Sequence, residues 1–164
     1  MSIYTKDHLL DGKIVYFQPK LGYRSGIEPI ILASQANNKD KTILDLGSGC
    51  GPISLILAHR FANAEIVGLE NNTFHLELSQ KSKIENKFSN VEFKNEDVCK
   101  FNKDYMSYFD LVLSNPPFFF ENQIFKSKNN SINNAKYISK EKSEKWFKNL
   151  IYYIKDKGRA LIIN

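Results

Sequence analysis

The feature that most constrains this chain is an apolar run that stops abruptly. Leu111-Val112-Leu113-Ser114 reads as a buried strand and runs straight into Asn115-Pro116-Pro117-Phe118. The two prolines lack the N–H that a sheet ladder needs and fix their own φ, so the strand cannot continue. What remains at its end is a rigid hook with one amide side chain, exposed backbone carbonyls and a flat ring. Such a hook suits a planar substrate whose amino group must be held while its ring is stacked.

Upstream, strands alternate with helices. Asp11-Gly12 marks a hairpin turn into a strand over Lys13 to Gln18. Ile27 to Ala36 reads as a helix, with Pro29 tolerated in its first turn. Thr42 to Leu46, Glu65 to Leu69, Val91 to Lys94 and Phe109 to Ser114 are the next strands. Helices over about Pro52 to Phe61 and Thr73 to Asn86 lie between them. Ser139 to Lys155 reads as an amphipathic helix with Trp146, Phe147, Leu150, Ile151 and Ile154 on one stripe. Gly158 is expected to end it, with a last strand over Ala160 to Ile163. This alternation predicts an α/β fold, a parallel sheet covered by helices on both faces behind a small N-terminal hairpin. At 164 residues one structural unit is expected, with 1–40 as hairpin and helix cap and 41–164 as core. Glu121 to Asn134 is polar and reads as a mobile loop.

The first of the central strands leads into Gly47-Ser48-Gly49-Cys50-Gly51. Glycines there permit positive φ and let a ligand approach the backbone, while the following helix offers unpaired N–H groups. Glycine turns also close ordinary strand–helix loops. Here, however, an acid follows at the end of the next strand, roughly 20 residues on, where it can grip ribose hydroxyls. That acid is Glu70, and Asp97 after the third strand is placed to accept from an adenine amino group. The series of glycine turn, Glu70 and Asp97 points to a nucleoside cofactor.

Hydrophobic residues make up 42% of the chain and the net charge is +5, which excludes a disordered polyelectrolyte. No run approaches the roughly 20 apolar residues of a membrane span, and Met1 to His8 is too polar for a signal peptide. Two cysteines, Cys50 and Cys99, form neither a metal pattern nor a disulfide framework, as fits a reducing cytoplasm. His8, His59 and His75 are scattered and receive no role. The basic excess falls after Phe120, either a solvated lysine face or a grip on phosphates beside the hook.

These residues resemble a class I S-adenosylmethionine-dependent methyltransferase of the group whose fourth strand ends in Asn-Pro-Pro-aromatic. Leu10-Asp11-Gly12-Lys13 and Gln18-Pro19-Lys20-Leu21-Gly22-Tyr23-Arg24-Ser25-Gly26-Ile27-Glu28 are similar to the opening of the bacterial tRNA(Val) adenine-N6 methyltransferases, which act next to the anticodon. The hook alone is shared with protein glutamine and rRNA guanine methyltransferases. The resemblance implies S-adenosylmethionine as cofactor and tRNA as partner, with no metal. It implies that Asp45, Gly47, Gly49 and Gly51 line the methionine end, that Glu70 holds the ribose, and that Asp97 and Val98 frame the adenine. Tyr23, Arg24 and Gly26 would close over the cofactor. Asn115 and the Pro116 carbonyl would bind the target amine, with Pro117 fixing the hook and Phe118 stacking on the base. Lys126, Lys128 and Lys136 are the candidate RNA contacts. Two positions depart from the family: Glu28 stands where an aspartate is more usual, and Lys136 where an arginine is, which removes a bidentate fork.

The related enzymes continue past the fifth strand with a helix and two more strands, whereas this sequence stops at Asn164. The resemblance therefore implies a Rossmann-like sheet lacking its last two strands, with an unpaired apolar edge. A fragment awaiting a complementing C-terminal piece, half of a split enzyme, and a remnant without catalysis are the alternatives to a tRNA enzyme. Transfer to a protein glutamine amide or to rRNA is another.

Overall fold

The computed structural model describes residues 2–116, 119–120 and 137–163. The chain opens with an antiparallel hairpin, β1 (Tyr4–Leu9) and β2 (Ile14–Pro19). Its turn places Leu10, Asp11 and Gly12 at positive φ, the backbone that Asp-Gly favours. There follow α1 (Glu28–Ser34), β3 (Thr42–Leu46), α2 (Pro52–Arg60), β4 (Glu65–Glu70), α3 (Thr73–Glu85) and β5 (Val91–Asn95). After a short 3-10 turn at Lys103–Tyr105 come β6 (Phe109–Ser114) and the paired two-residue strands β7 (Phe119–Phe120) and β8 (Tyr137–Ile138). Helix α4 (Lys140–Tyr153) and strand β9 (Ile154–Ile162) complete the series.

The main sheet has five parallel strands in the order β5-β4-β3-β6-β9. Strand order reverses at β3, so a crevice opens beyond the C-terminal ends of β3 and β6, where open α/β sheets bind ligands. Side chains alternate across the sheet: Ile43, Ile66, Leu111 and Leu113 join one core with α1, α2, α3 and the hairpin. Leu44, Leu46, Val67, Leu69 and Val112 join a second core with Leu150 and Tyr153 of α4.

Side chains of α3 take the place of a neighbouring strand for β2. The amide of Phe17 donates to Ser82 Oγ (3.0 Å), and Asn86 both accepts from the Val15 amide (2.8 Å) and donates to the Val15 carbonyl (2.7 Å). At the opposite end of the sheet, Asp110 accepts from the amides of Lys41 and Thr42 (2.9 Å each) and pairs with Lys155. These bonds tie β3, β6 and β9 together at their starts.

Two sequence expectations are corrected here. Helix α4 ends at Tyr153 rather than Lys155, and the strand begins at Ile154 rather than Ala160. Gly158 does not stop a helix but sits in an irregularity of β9, where the register jumps from Phe109↔Ile154 to Leu111↔Arg159 and Lys157 takes a φ of +64°. A Cβ on Gly158 would lie 2.9 Å from the carbonyl oxygens of Lys155 and Phe109, so the glycine serves close backbone approach. The apolar stripe of α4 is also rotated. Asn149, Leu150 and Tyr153 are its buried residues, whereas Phe147 and Ile151 are exposed. Asn149 is drawn inward because its amide donates to the Val98 carbonyl (2.9 Å).

Candidate functional site

The glycine turn after β3 is held to the end of β4: the amides of Gly47 and Ser48 donate to the Leu69 carbonyl at 3.0 and 2.8 Å. Gly47, Gly49 and Gly51 have φ of +81°, +58° and +80°, a region that side-chain-bearing residues rarely adopt. Gly51 is the N-cap of α2, and a Cβ there would stand 2.5 Å from the Phe93 ring. One at Gly47 would meet the Trp146 ring at the same distance, whereas nothing lies within 4 Å of a Cβ on Gly49. Protein therefore packs against the two ends of the turn and leaves its middle free for a ligand.

The acids stand around this turn. Glu70 accepts from the amides of Gly49 (2.9 Å) and Asn72 (2.7 Å), and Asn72 in turn caps α3. Asp45 is fully buried beneath the turn. Its Oδ2 accepts from the Ser54 amide (3.2 Å) and hydroxyl (2.7 Å), tying β3 to the first turn of α2. Burial, aided by the nearby Glu70 charge and opposed by the Ser54 bonds, pushes the Asp45 carboxyl up to about 7. Asp97 accepts from the Cys99 amide (2.9 Å) just beyond β5, beside the buried Val98.

A cavity of about 50 Å³ lies at the switch point. The turn from Gly47 to Cys50 forms one wall, with Tyr16, Tyr23 and Ser25 from the N-terminal segment, His75 from α3 and Asn115 from the end of β6. Buried polar atoms nearly always find partners. Among the described residues the buried side-chain atoms without one are Asp45 Oδ1, Ser48 Oγ and Asn115 Oδ1. All three belong to the turn, the strand end beneath it and the hook, which is unspent hydrogen-bonding capacity around one crevice. Burial and the Glu28 charge push the Tyr23 phenol up, against the Asn115 amide beside it. Burial and Glu70 push the Cys50 thiol up to about 12, so it stays protonated and is no nucleophile. Burial holds the His75 imidazole below its usual value, against the pull of Glu70.

Of the residues singled out from sequence, the structure gathers Tyr23, Gly47, Gly49 and Asn115 around the cavity, with Gly51 and Glu70 one step behind. Asp97 and Val98 lie at the neighbouring strand end, and Pro116 is buried next to Asn115. Arg24 instead faces the hairpin, donating to Asp7 (2.8 Å), Thr5 (2.9 Å) and the Pro19 carbonyl (2.8 Å). Gly26 is exposed at the approach to α1. Pro117, Phe118, Lys126, Lys128 and Lys136 lie outside the described residues.

Three participants were missed. Tyr16 bonds Ser25 Oγ (2.8 Å) inside the cavity wall, and His75 lines it from the first turn of α3. Position alone, five residues beyond the acid that ends β4, was the available signal for His75. Trp146 was read only as helix core. Its indole N–H donates to Ser114 Oγ (3.0 Å), which donates to the Leu46 carbonyl (2.7 Å). One side chain thus touches the glycine turn and bonds the residue before the hook.

A family model described as a methyltransferase domain matches residues 37–163. A release factor glutamine methyltransferase of Fusobacterium nucleatum is 36% identical over 81 residues, covering 49% of this chain and 22% of that protein. A tRNA1(Val) (adenine(37)-N6)-methyltransferase of a Flavobacteriaceae bacterium is 30% identical over 113 residues, covering 65% and 46%. The chain thus spans less than half the length of either relative. A solved SAM-dependent methyltransferase from Agrobacterium tumefaciens superposes with a TM-score of 0.68 over 99% of this chain and 52% of that one, at 14% identity, a likeness of fold.

Proposed function

The chain belongs to the methyltransferase-domain family, and from that premise we propose that it transfers a methyl group from S-adenosylmethionine to the N6 amine of an adenine in tRNA. One observation carries the reading: the amide oxygen of Asn115 is buried at the switch-point cavity with no partner. An acceptor so placed is made for an N–H that arrives with a substrate.

The residues around the cavity fit the cofactor. Open space beside Gly49 admits its approach, and the orphaned Ser48 hydroxyl can meet its polar end. In this reading Glu70, which now accepts from the Gly49 and Asn72 amides, would take the ribose hydroxyls, and Asp97 with Val98 would frame the adenine. Small-molecule sites usually span roughly 300–1,000 Å³, so the cavity of about 50 Å³ would take only one end of the cofactor. Bound S-adenosylmethionine supplies an electrophilic methyl group on a sulfonium. The chain supplies orientation. An exocyclic amine shares its lone pair with the purine ring. When Asn115 Oδ1 and the Pro116 carbonyl accept its two hydrogens, the nitrogen pyramidalises and its lone pair is aimed into the cavity. Access to that amine requires an unstacked base, as an anticodon loop provides.

The tRNA assignment rests on the adenine-N6 relative and on the Gln18 to Glu28 segment. The similarity to a glutamine methyltransferase favours a second reading, because a glutamine amide offers the same two hydrogens. The test incubates the chain with methyl-labelled cofactor and unmodified tRNA, followed by digestion to nucleosides. Label in N6-methyladenosine, lost in Asn115→Ala, supports the proposal. Label in a protein glutamine instead moves the assignment to the second reading, and no label from folded protein refutes both.

A further inference from the structure

The face of the sheet covered by α4 carries a groove of about 570 Å³ that shares no lining residue with the switch-point cavity. Phe101, Met106 and Tyr152 line it, exposed to 50%, 60% and 43%. These rings are not loose. Phe101 stacks on Tyr153 (centroids 5.9 Å apart, planes at 20°) and meets Tyr152 edge-on at 5.6 Å. A ring braced on two sides and half open to solvent is a preorganised stacking platform. Lys145 and Lys148 stand on its rim, with the Lys148 ammonium 5.7 Å from the Tyr152 centroid. Lys145 shares its charge with Glu141 (2.6 Å), an exposed pair worth little against a competing phosphate. Among the described residues no carboxylate lines the groove.

A flat apolar floor with ammonium groups along one edge matches a base with its phosphate better than it matches a helix or a hydrophobic peptide. Aromatic platforms beside lysines bind single-stranded nucleic acid without reading sequence. The groove also adjoins the site. Its wall at Cys99 lies two residues past Asp97, and its floor at Asn149 bonds the Val98 carbonyl. We propose that this groove is a second contact for the RNA substrate: Phe101 and Tyr152 stack one unpaired base, and Lys145 and Lys148 hold the adjoining phosphate. This rests on the tRNA reading above.

The test measures binding of fluorescein-labelled unmodified tRNA, affinity for S-adenosylmethionine, and methyl transfer. It compares the wild type with Phe101→Ala, with Lys145→Glu/Lys148→Glu, and with Lys39→Glu/Lys87→Glu, exposed lysines outside the groove. The first two variants are expected to weaken tRNA binding by roughly tenfold each, in the range of one lost base stack, with cofactor affinity unchanged. The last is expected to change it by less than about threefold, a screened surface effect. Phe101→Ala is not judged alone, because its ring braces Tyr153; the exposed lysine pair answers the same question without touching the core. The groove is refuted if both groove variants bind tRNA like the wild type, or if the two charge reversals weaken it equally. If the wild type itself neither binds nor methylates tRNA, the tRNA reading falls and takes the groove with it. Wild-type turnover with unaffected groove variants removes the groove alone.

Discussion

The two faces of the sheet are built on different terms. One is covered by the hairpin and three helices, and its core runs without a break from Ile14 to Leu113. Among the described residues the other is covered by α4 and a 3-10 turn, and leaves Phe101, Met106, Ile151 and Tyr152 in solvent. The crowded face holds the glycine turn rigid from below, through Asp45, Ser54 and the Phe93 ring against Gly51. The open face contributes one long side chain, Trp146, that reaches the same turn from above. A ligand crevice between them is fixed on one side by packing and on the other by a few directed bonds. The sparse face is also where β9 is an edge among the described residues, guarded by its irregular register and by Lys155, Asp156 and Lys157.

The contrast is broken most severely by truncating the crowded core. Leu57 is fully buried in α2, and Leu57→Ala is expected to cost about 3 kcal/mol, the lost transfer energy plus an unrelaxed cavity. Ile151, also a helical aliphatic residue, is 66% exposed on the open face, so Ile151→Ala should stay within about 0.5 kcal/mol. Urea unfolding of the two variants checks this. Equal losses would mean that the open face is covered in solution.

The buried carboxyl of Asp45 gives the next effect. Folding raises it from an ordinary 3.8 to about 7, so the folded protein binds this proton more tightly than the unfolded chain. Stability attributable to Asp45 is therefore greatest below about pH 4, falls as pH rises toward 7, and is fully lost above it. Asp45→Asn keeps an acceptor for Ser54 and removes the titration. It is expected to leave stability at pH 4 nearly unchanged and to raise it at pH 8 by about 4 kcal/mol, the cost of holding a carboxyl that is raised from 3.8 to about 7. Unfolding midpoints at the two pH values decide the matter, and a gain equal at both would show that the Asp45 proton is not involved.

The same contrast explains what could be read from the sequence. Where neighbours are dense, local pattern and tertiary demand coincide. Thr42–Leu46, Pro52–Arg60 and Glu65–Glu70 were legible to within a residue, because apolar runs there end in glycines, a proline or an acid that the fold also requires. On the open face that agreement fails. Phe147 and Ile151 are apolar but exposed among the described residues, so they drew the stripe of α4 away from its real contact at Asn149. Gly158 announced a backbone need without saying which, and a helix stop and a strand irregularity look alike in one dimension. Around the crevice, glycines and acids carry spacing and could be singled out. His75 and Trp146 carry none, since their roles come from packing between elements distant in sequence.

Trp146 gives a smaller expected change than Leu57 or Asp45, and the one that joins the two faces most directly. It is the sole tryptophan, and its ring lies against Gly47 while its N–H bonds Ser114, the residue before Asn115. Trp146→Phe keeps an aromatic ring over the turn and loses one hydrogen bond, a net cost of about 1 kcal/mol in stability. If the bond also orients the hook, kcat should fall by roughly fivefold, about 1 kcal/mol at the transition state, while KM for the cofactor stays put. A purely packing role would leave kcat unchanged. In the wild type, the same contact should make tryptophan fluorescence respond to S-adenosylmethionine. A silent tryptophan would place the cofactor away from Gly47 and break the link between turn, indole and hook.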